Sequence, residues 1–186
     1  MANKKEEKRI SDEQTKELQK YILDMLLAID NVCREHGLDY YLIAGTMLGA
    51  VRHKGFVPWD DDADVAMPRK DYNEFVKHAN EWLPERYELV SGLQDPMYPY
   101  QFARIQDKET TYILRRKFNF VGGLPVDVFP LDGIGRDEGE MEANFAKIDR
   151  LNMCLMTRTC AIRKDRSFYK NAAIALSRLV PSFLVK

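Results

Sequence analysis

The sequence lacks the features that mark secreted and membrane proteins. It has three cysteines in 186 residues and no C-x-x-C pair, so it predicts neither a disulfide framework nor a cysteine zinc site. No run of about 18 apolar residues could cross a bilayer, and the lysine- and glutamate-rich amino terminus has no apolar stretch of a secretory signal. These absences indicate a soluble cytoplasmic protein in a reducing compartment.

Net charge is nearly absent as well. The 28 basic and 29 acidic residues leave a formal charge of -1, which gives no overall field to draw the protein onto nucleic acid. We therefore expect no nucleic-acid partner. Any recognition of phosphate must come from local groups.

The residues that are present favour a compact fold with a single core, since 45% are hydrophobic and 31% are charged. Helical periodicity opens after a capping-box pattern at Ser11 and Gln14, and it continues to Gly37. Further helices are predicted near residues 69–83, 138–158 and 167–180. Extended segments are predicted at 40–44, 62–67, 87–92, 99–106, 110–114 and 125–129.

This order predicts an α/β (α+β) fold, with a mixed or antiparallel sheet flanked by helices and a helical carboxy-terminal part. We expect residues 1–10 to be disordered and residues 11–135 to form the catalytic core. Residues 136–186 are expected to form helices that pack on that core.

Four acidic residues lie within the five positions from Asp60 to Asp64, directly before a predicted strand. Two carboxylates about 5 Å apart repel by roughly 3 kcal/mol at an effective dielectric near 20, so an ordered cluster needs a cation, a proton or full solvation. Side chains at i and i+2 of a strand share a face, so Asp62 and Asp64 point together. Two carboxylates suit Mg²⁺, with Mn²⁺ as an alternative. A solvated acidic turn is the other interpretation.

A third acid, Asp127, lies between Val126 and Val128 in another predicted strand. Burial of this carboxylate is costly unless it is paired or bound to a metal. Pairing with an arginine is the alternative for Asp127 taken alone. Beside Asp62 and Asp64, metal ligation is the better interpretation.

A glycine turn between a strand and a helix is the candidate phosphate-binding element. Gly45 would allow close approach of a ligand to the backbone, and Thr46 would cap the helix and offer its hydroxyl to phosphate. Basic side chains nearby could neutralise phosphate, and His53 is also a candidate general base. For each of them an ordinary surface role is the alternative. The candidate substrate-binding residues are Gly45, Thr46, Arg52, His53, Lys54, Arg69 and Arg104.

The run from Gly45 to Asp64, its continuation Met67–Tyr72 and the segment Val126–Asp132 resemble the signature of the LicD family of phosphotransferases. These are relatives of the fukutin-type enzymes in the nucleotidyltransferase superfamily. The resemblance implies that Asp62 and Asp64 are the paired metal-binding acids and that Asp127 is the third. It also implies that the Gly-Thr element corresponds to the superfamily's Gly-Ser turn.

The resemblance further implies transfer of phosphocholine, or another phospho-alcohol, from a CDP-linked donor such as CDP-choline. The acceptor would be a hydroxyl on a glycan or teichoic acid precursor. Two alternatives remain open: a nucleotidyltransferase that adds a nucleoside monophosphate to a small molecule or protein, and a non-catalytic nucleotide-binding scaffold.

The segment from Arg158 to Lys186 carries seven basic residues and one acid. One hypothesis is that it contacts an anionic membrane at the inner face, where lipid-linked acceptors lie. A helix that packs on its own core is the alternative.

Overall fold

The computed structural model describes residues 10–95, 98, 100–114, 120–160, 162–164 and 166–179. Of residues 1–10, which are expected to be disordered, all but Ile10 lie outside this part of the chain. Positions 180–186 of the basic segment also lie outside it. The elements are α1 (Asp12–His36), β1 (Tyr41–Leu42), α2 (Ala44–His53), β2 (Asp64–Pro68), α3 (Arg69–Trp82), β3 (Tyr87–Val90), β4 (Ala103–Leu114), β5 (Phe120–Leu131), α4 (Glu138–Thr159) and α5 (Phe168–Ser177).

The five strands form one sheet in the order β1-β2-β5-β4-β3. β2 and β5 run parallel, whereas the other three neighbouring pairs are antiparallel. The prediction of an α/β (α+β) fold with a mixed sheet and a helical carboxy-terminal part is confirmed. The parallel pair is the part of the sheet that positions the candidate site.

Helix α1 forms where the sequence predicts it. The Ser11 hydroxyl accepts from the Gln14 N–H, and the Gln14 side chain accepts from the Ser11 N–H, so the capping box is confirmed. The helix ends at Gly37, whose φ of 64° is the left-handed conformation that glycine adopts without a steric penalty. Its buried face, which includes Ile22 and Met25, packs into the core.

The core lies on one face of the sheet, against α1 and α3. Alternate residues of β5 and β2 enter it, and Val126, Val128 and Val65 are fully buried. Because successive strand side chains alternate between faces, the intervening Asp127 and Asp64 point to the opposite face. Burial of the valines therefore determines which way the two acids point.

Several strand boundaries differ from the prediction. The segments predicted at 99–106 and 110–114 are one strand, β4, with a register irregularity between Asp107 and Tyr112; position 99 lies outside the described residues. A Cβ at Gly123 would lie 2.0 Å from the Asp107 carbonyl oxygen, so this irregularity needs a glycine opposite it. β1 has only two residues, and β2 begins at Asp64 rather than at Asp62.

Helices α4 and α5 form near the predicted positions. Side chains of α4 and α3 line a common cavity, so α4 lies beside the core. The division into a core at 11–135 and a carboxy-terminal part at 136–186 stays a prediction. No helix in the described part of the chain is both long and apolar enough to cross a membrane.

Candidate functional site

Asp64 and Asp127 meet where the two parallel strands pair. They are direct partners in the register of β2 and β5, and the Asp127 N–H donates to the Ala63 carbonyl at 3.0 Å. Neighbouring strands are about 4.8 Å apart, so the two carboxylates leave the same face of the sheet side by side. The structure thus places the predicted third acid next to one member of the predicted pair.

The acidic loop before β2 brings further carboxylates to this place. One oxygen from each of Asp60, Asp61 and Asp62 lies within 4.8 Å of the others, and this close group does not include Asp64 or Asp127. The Asp60 N–H donates to the Val57 carbonyl at 3.0 Å, which turns the loop back on itself. Asp60 was missing from the predicted site residues, because the acidic run shows in the sequence but the turn that directs each carboxylate does not.

Burial and neighbouring charges shift the pKa values of these acids. Burial raises the pKa of Asp64 to about 6, and the charges of Asp62, Asp127 and Asp60 add to the effect. Burial also raises the pKa of Asp60, with a further contribution from Asp62. A cluster of carboxylates that repel one another offers only oxygen donors, which is the donor set that Mg²⁺ or Mn²⁺ prefers. The residues therefore fit a hard divalent cation.

Asp127 is also paired with an arginine. Arg104 Nε donates to one carboxylate oxygen at 2.6 Å and Arg104 Nη2 donates to the other at 3.0 Å. The Arg104 guanidinium carbon lies 4.5 Å from the centre of the Tyr100 ring, in cation–π geometry. Burial raises the pKa of Asp127, the bonds from Arg104 lower it, and the charge of Asp62 raises it.

Two of the three Arg104 guanidinium nitrogens therefore bond Asp127, and the third, Nη1, has no hydrogen-bond partner among the described residues. The antiparallel register sets Arg104 directly opposite Asp127, and substrate binding by Arg104 stays a prediction. The arginine pair that the sequence left open for Asp127 is present, and Asp127 still faces Asp64. The two roles are compatible, because each carboxylate oxygen keeps a second lone pair for another partner.

Thr46 has a different local role from the predicted one. It lies inside α2 rather than capping it; the cap position is Ile43, which makes no side-chain cap hydrogen bond. The buried Thr46 hydroxyl instead accepts from the Asp64 N–H at 2.8 Å. The predicted cap lies three residues too late, because the helix begins at Ala44, whose φ of 47° is left-handed.

Gly45 lies close to Asp60. A Cβ at Gly45 would lie 2.5 Å from the Asp60 Oδ2 atom, so a carboxylate lies against the first turn of α2. Partial positive charge at a helix amino terminus stabilises such an anion. As predicted, position 45 needs a glycine because another group comes close to its backbone. In this structure that group is the Asp60 carboxylate.

Gln19 of α1 is a positioning residue that the sequence did not indicate. Its Nε2 atom donates to the Val57 carbonyl at 3.0 Å and to the Asp60 carbonyl at 2.9 Å. These bonds attach the acidic loop to α1. A single glutamine on a long amphipathic helix carries no signal of such a long-range contact.

The remaining predicted residues lie around the site. Arg52, His53 and Lys54 are exposed at the carboxyl end of α2, and their side chains make no ion pair among the described residues. They begin about 9 Å along the helix axis from Thr46. Arg69, at the far end of β2, forms a two-point ion pair with Asp132. Substrate binding by these residues stays a prediction.

Comparison with known proteins shows which family the region around the site resembles. Residues 37–145 match the model of the LicD/FKTN/FKRP nucleotidyltransferase domain. Over 123 residues the chain is 42% identical to the lipopolysaccharide cholinephosphotransferase LicD of Haemophilus influenzae, covering 64% of this chain and 44% of that protein.

Two uncharacterized rickettsial proteins match shorter stretches. The protein from Rickettsia prowazekii is 36% identical over 55 residues, which cover 30% of this chain and 19% of that protein. The protein from Rickettsia typhi is 42% identical over 41 residues, which cover 22% of this chain and 13% of that protein. The matched residues thus span less than half the length of each of these relatives. The domain match covers more than half of this chain and includes Asp62, Asp64 and Asp127, and the chain belongs to the LicD/FKTN/FKRP nucleotidyltransferase family.

Proposed function

We propose that this chain is a metal-dependent phosphotransferase that moves a phospho-alcohol, phosphocholine or a close analogue, from a CDP-linked donor to a hydroxyl group. The acceptor is a cell-surface glycan or a teichoic acid precursor. The observation that carries the proposal is the register of β2 and β5, which places Asp127 beside Asp64 and within electrostatic reach of Asp62.

The family and one relative support this reaction class. The chain has a LicD-type nucleotidyltransferase domain, and its Haemophilus influenzae relative is named a lipopolysaccharide cholinephosphotransferase. That name supports choline phosphate as the transferred group and a lipopolysaccharide glycan as the acceptor. CDP-choline is the donor that would deliver choline phosphate with CMP as the leaving group.

The chain's own residues would divide the work as follows. Asp62 and Asp64 would hold Mg²⁺ or Mn²⁺, with Asp127 as third ligand or as the group that accepts the acceptor's proton. The bound cation would neutralise charge on the donor phosphates and on the departing CMP. Arg104 orients Asp127, while Thr46 and Gln19 fix the backbone that carries Asp64 and Asp60.

The direct test is release of CMP from CDP-choline in the presence of Mg²⁺ and a lipopolysaccharide acceptor. We expect Asp62→Asn to lower the rate at least about 100-fold, since it removes a charged ligand to the metal and leaves the fold intact. Asp149→Asn, an exposed acid on α4, is the matched control and should keep the wild-type rate.

The products separate this proposal from its alternatives. Acceptor-linked choline phosphate with free CMP supports phosphotransfer, whereas acceptor-linked CMP would show a nucleotidyltransferase. Binding of CDP-choline without turnover, across a range of donors and acceptors, would show a non-catalytic scaffold.

A location at the inner face of the membrane stays a prediction. Exposed apolar side chains of the carboxy-terminal helices, such as Phe168 and Tyr169, lie among basic residues including Lys164 and Lys170. This composition suits an anionic lipid surface. Liposome flotation with no preference for anionic lipid would dispose of the idea.

A further inference from the structure

A cavity of about 670 Å³ lies outside the acidic cluster. Its walls are α3, residues 91–94, residues 100–102 and the α4 side chains Ile148, Leu151 and Leu155. The volume falls within the range of about 300–1,000 Å³ typical of small-ligand sites. None of its lining residues is an aspartate or glutamate, so it is chemically distinct from the proposed metal site.

The cavity nevertheless adjoins the acids. Tyr100 lines it, and the Arg104 guanidinium lies over the Tyr100 ring while it donates to Asp127. Phe102, which also lines the cavity, contacts Phe129 two residues beyond Asp127, with ring centres 4.3 Å apart. Tyr100 and Phe102 therefore connect the cavity lining to side chains beside or near Asp127.

The lining suits a sugar better than an alkyl chain or a choline group. Amide side chains face it from separate segments, at Asn73, Gln94 and Gln101, beside aromatic rings. Amides bind hydroxyl groups, and rings pack against the apolar face of a pyranose. Aromatic rings by themselves can bind a quaternary ammonium, but two cations, Arg69 and Lys77, lie in the same lining and would repel it.

Those two cations determine the expected charge of the ligand. Arg69 is already paired with Asp132. Lys77 is exposed and forms no ion pair among the described residues, so its ammonium is available to an anion. We propose that this cavity binds the acceptor glycan through an anionic sugar, one that carries a phosphate or carboxylate group, with Lys77 as the partner of that group.

This assignment rests on the proposed function, and kinetics test it first. The assay measures CMP release from CDP-choline with oligosaccharide released from lipopolysaccharide as acceptor. Lys77→Ala should raise the acceptor KM about tenfold or more and leave the donor KM unchanged. Lys70→Ala, an exposed lysine on the same helix outside the cavity, should change neither. An acceptor KM within twofold of wild type in Lys77→Ala would overturn the proposal.

A binding measurement distinguishes failure of this inference from failure of the proposed function, because it needs no turnover. Ligand-observed NMR compares glucose 6-phosphate, glucose and inorganic phosphate as probes. Wild type should prefer glucose 6-phosphate over both, Lys77→Ala should lose that preference, and choline phosphate should not displace the sugar. Equal binding of inorganic phosphate, or an unchanged preference in Lys77→Ala, would overturn the sugar assignment even if CMP is released.

Discussion

At the scale of single residues, burial raises the pKa of Asp64 to about 6, and the charges of neighbouring carboxylates add to the effect. Without a cation, its charge is repelled by the cluster. We therefore expect Asp64→Asn to raise the free energy of unfolding of the metal-free protein by about 1 kcal/mol at pH 7, after allowance for solvent screening. Urea unfolding in EDTA measures this, and a loss of stability of similar size would contradict the repulsion.

The sequence identified most of the acids in this cluster but not the residues that hold them in position. Acidic residues before an apolar strand are visible as a pattern, and so is a lone acid between valines at Asp127. The inward turn of Asp60, the contact of Gln19 and the choice of Arg104 as the arginine beside Asp127 could not be predicted, because they depend on a loop turn, a contact across 41 positions and a strand register. Phosphate binding by Thr46 stays a prediction, and the sequence did not indicate that its hydroxyl accepts from the Asp64 N–H.

At the scale of elements, α2 contains two glycines with different neighbours. A Cβ at Gly45 would meet the end of the Asp60 side chain, whereas a Cβ at Gly49 would lie 2.6 Å from the Gly55 carbonyl oxygen and 2.8 Å from the Val57 nitrogen. A carboxylate can rotate away, but backbone cannot. Gly45→Ala should lower activity with a stability change below about 1 kcal/mol, while Gly49→Ala should destabilise by about 1–3 kcal/mol.

Thermal unfolding and CMP release, both measured on Gly45→Ala and Gly49→Ala, check these two predictions. Equal losses of stability would show that Asp60 is as rigid as the backbone around Gly49. Full activity in Gly45→Ala would show that the position of Asp60 does not matter for turnover.

The pairing of β3 with β4 contains a buried ion pair remote from the site. Arg86 donates to both oxygens of Asp107, at 3.0 and 2.6 Å, and the Asp107 side chain is 1% exposed. Burial alone would raise the pKa of Asp107, but the bonds from Arg86 and from the Glu109 N–H hold it below its usual value. Because the folded pKa is the lower one, the pair stabilises the protein above pH 4 or so and loses that effect as pH falls through the folded pKa.

Asp107→Asn should therefore cost about 2–4 kcal/mol at pH 7, since it leaves Arg86 without its main partner. The difference from wild type should shrink below about pH 4, where Asp107 of the unfolded wild type is also protonated. Urea unfolding at a series of pH values measures it. A difference that stays constant down to the lowest pH at which both proteins fold would contradict the ion-pair explanation.

At the scale of the whole molecule, most of the architecture followed from periodicity and caps. Helices α1, α3, α4 and α5 have long amphipathic patterns, and the mixed sheet follows from the alternation of strands with helices. The sequence did not indicate that two predicted strands join into β4. The polar residues at the register irregularity resemble a turn, and the glycine that makes room for the irregularity lies on another strand. The cavity between α3 and α4 is likewise a tertiary property with no local signal.

The central claim is that acids from two separate segments hold one divalent-cation site. Titration with Mn²⁺, followed by electron paramagnetic resonance at neutral pH, tests it without any assumption about substrate. We predict that wild type binds Mn²⁺ and that Asp62→Asn, Asp64→Asn and Asp127→Asn each weaken binding at least about tenfold, while Asp149→Asn does not. Mn²⁺ affinity within twofold of wild type in both Asp64→Asn and Asp127→Asn would contradict the account.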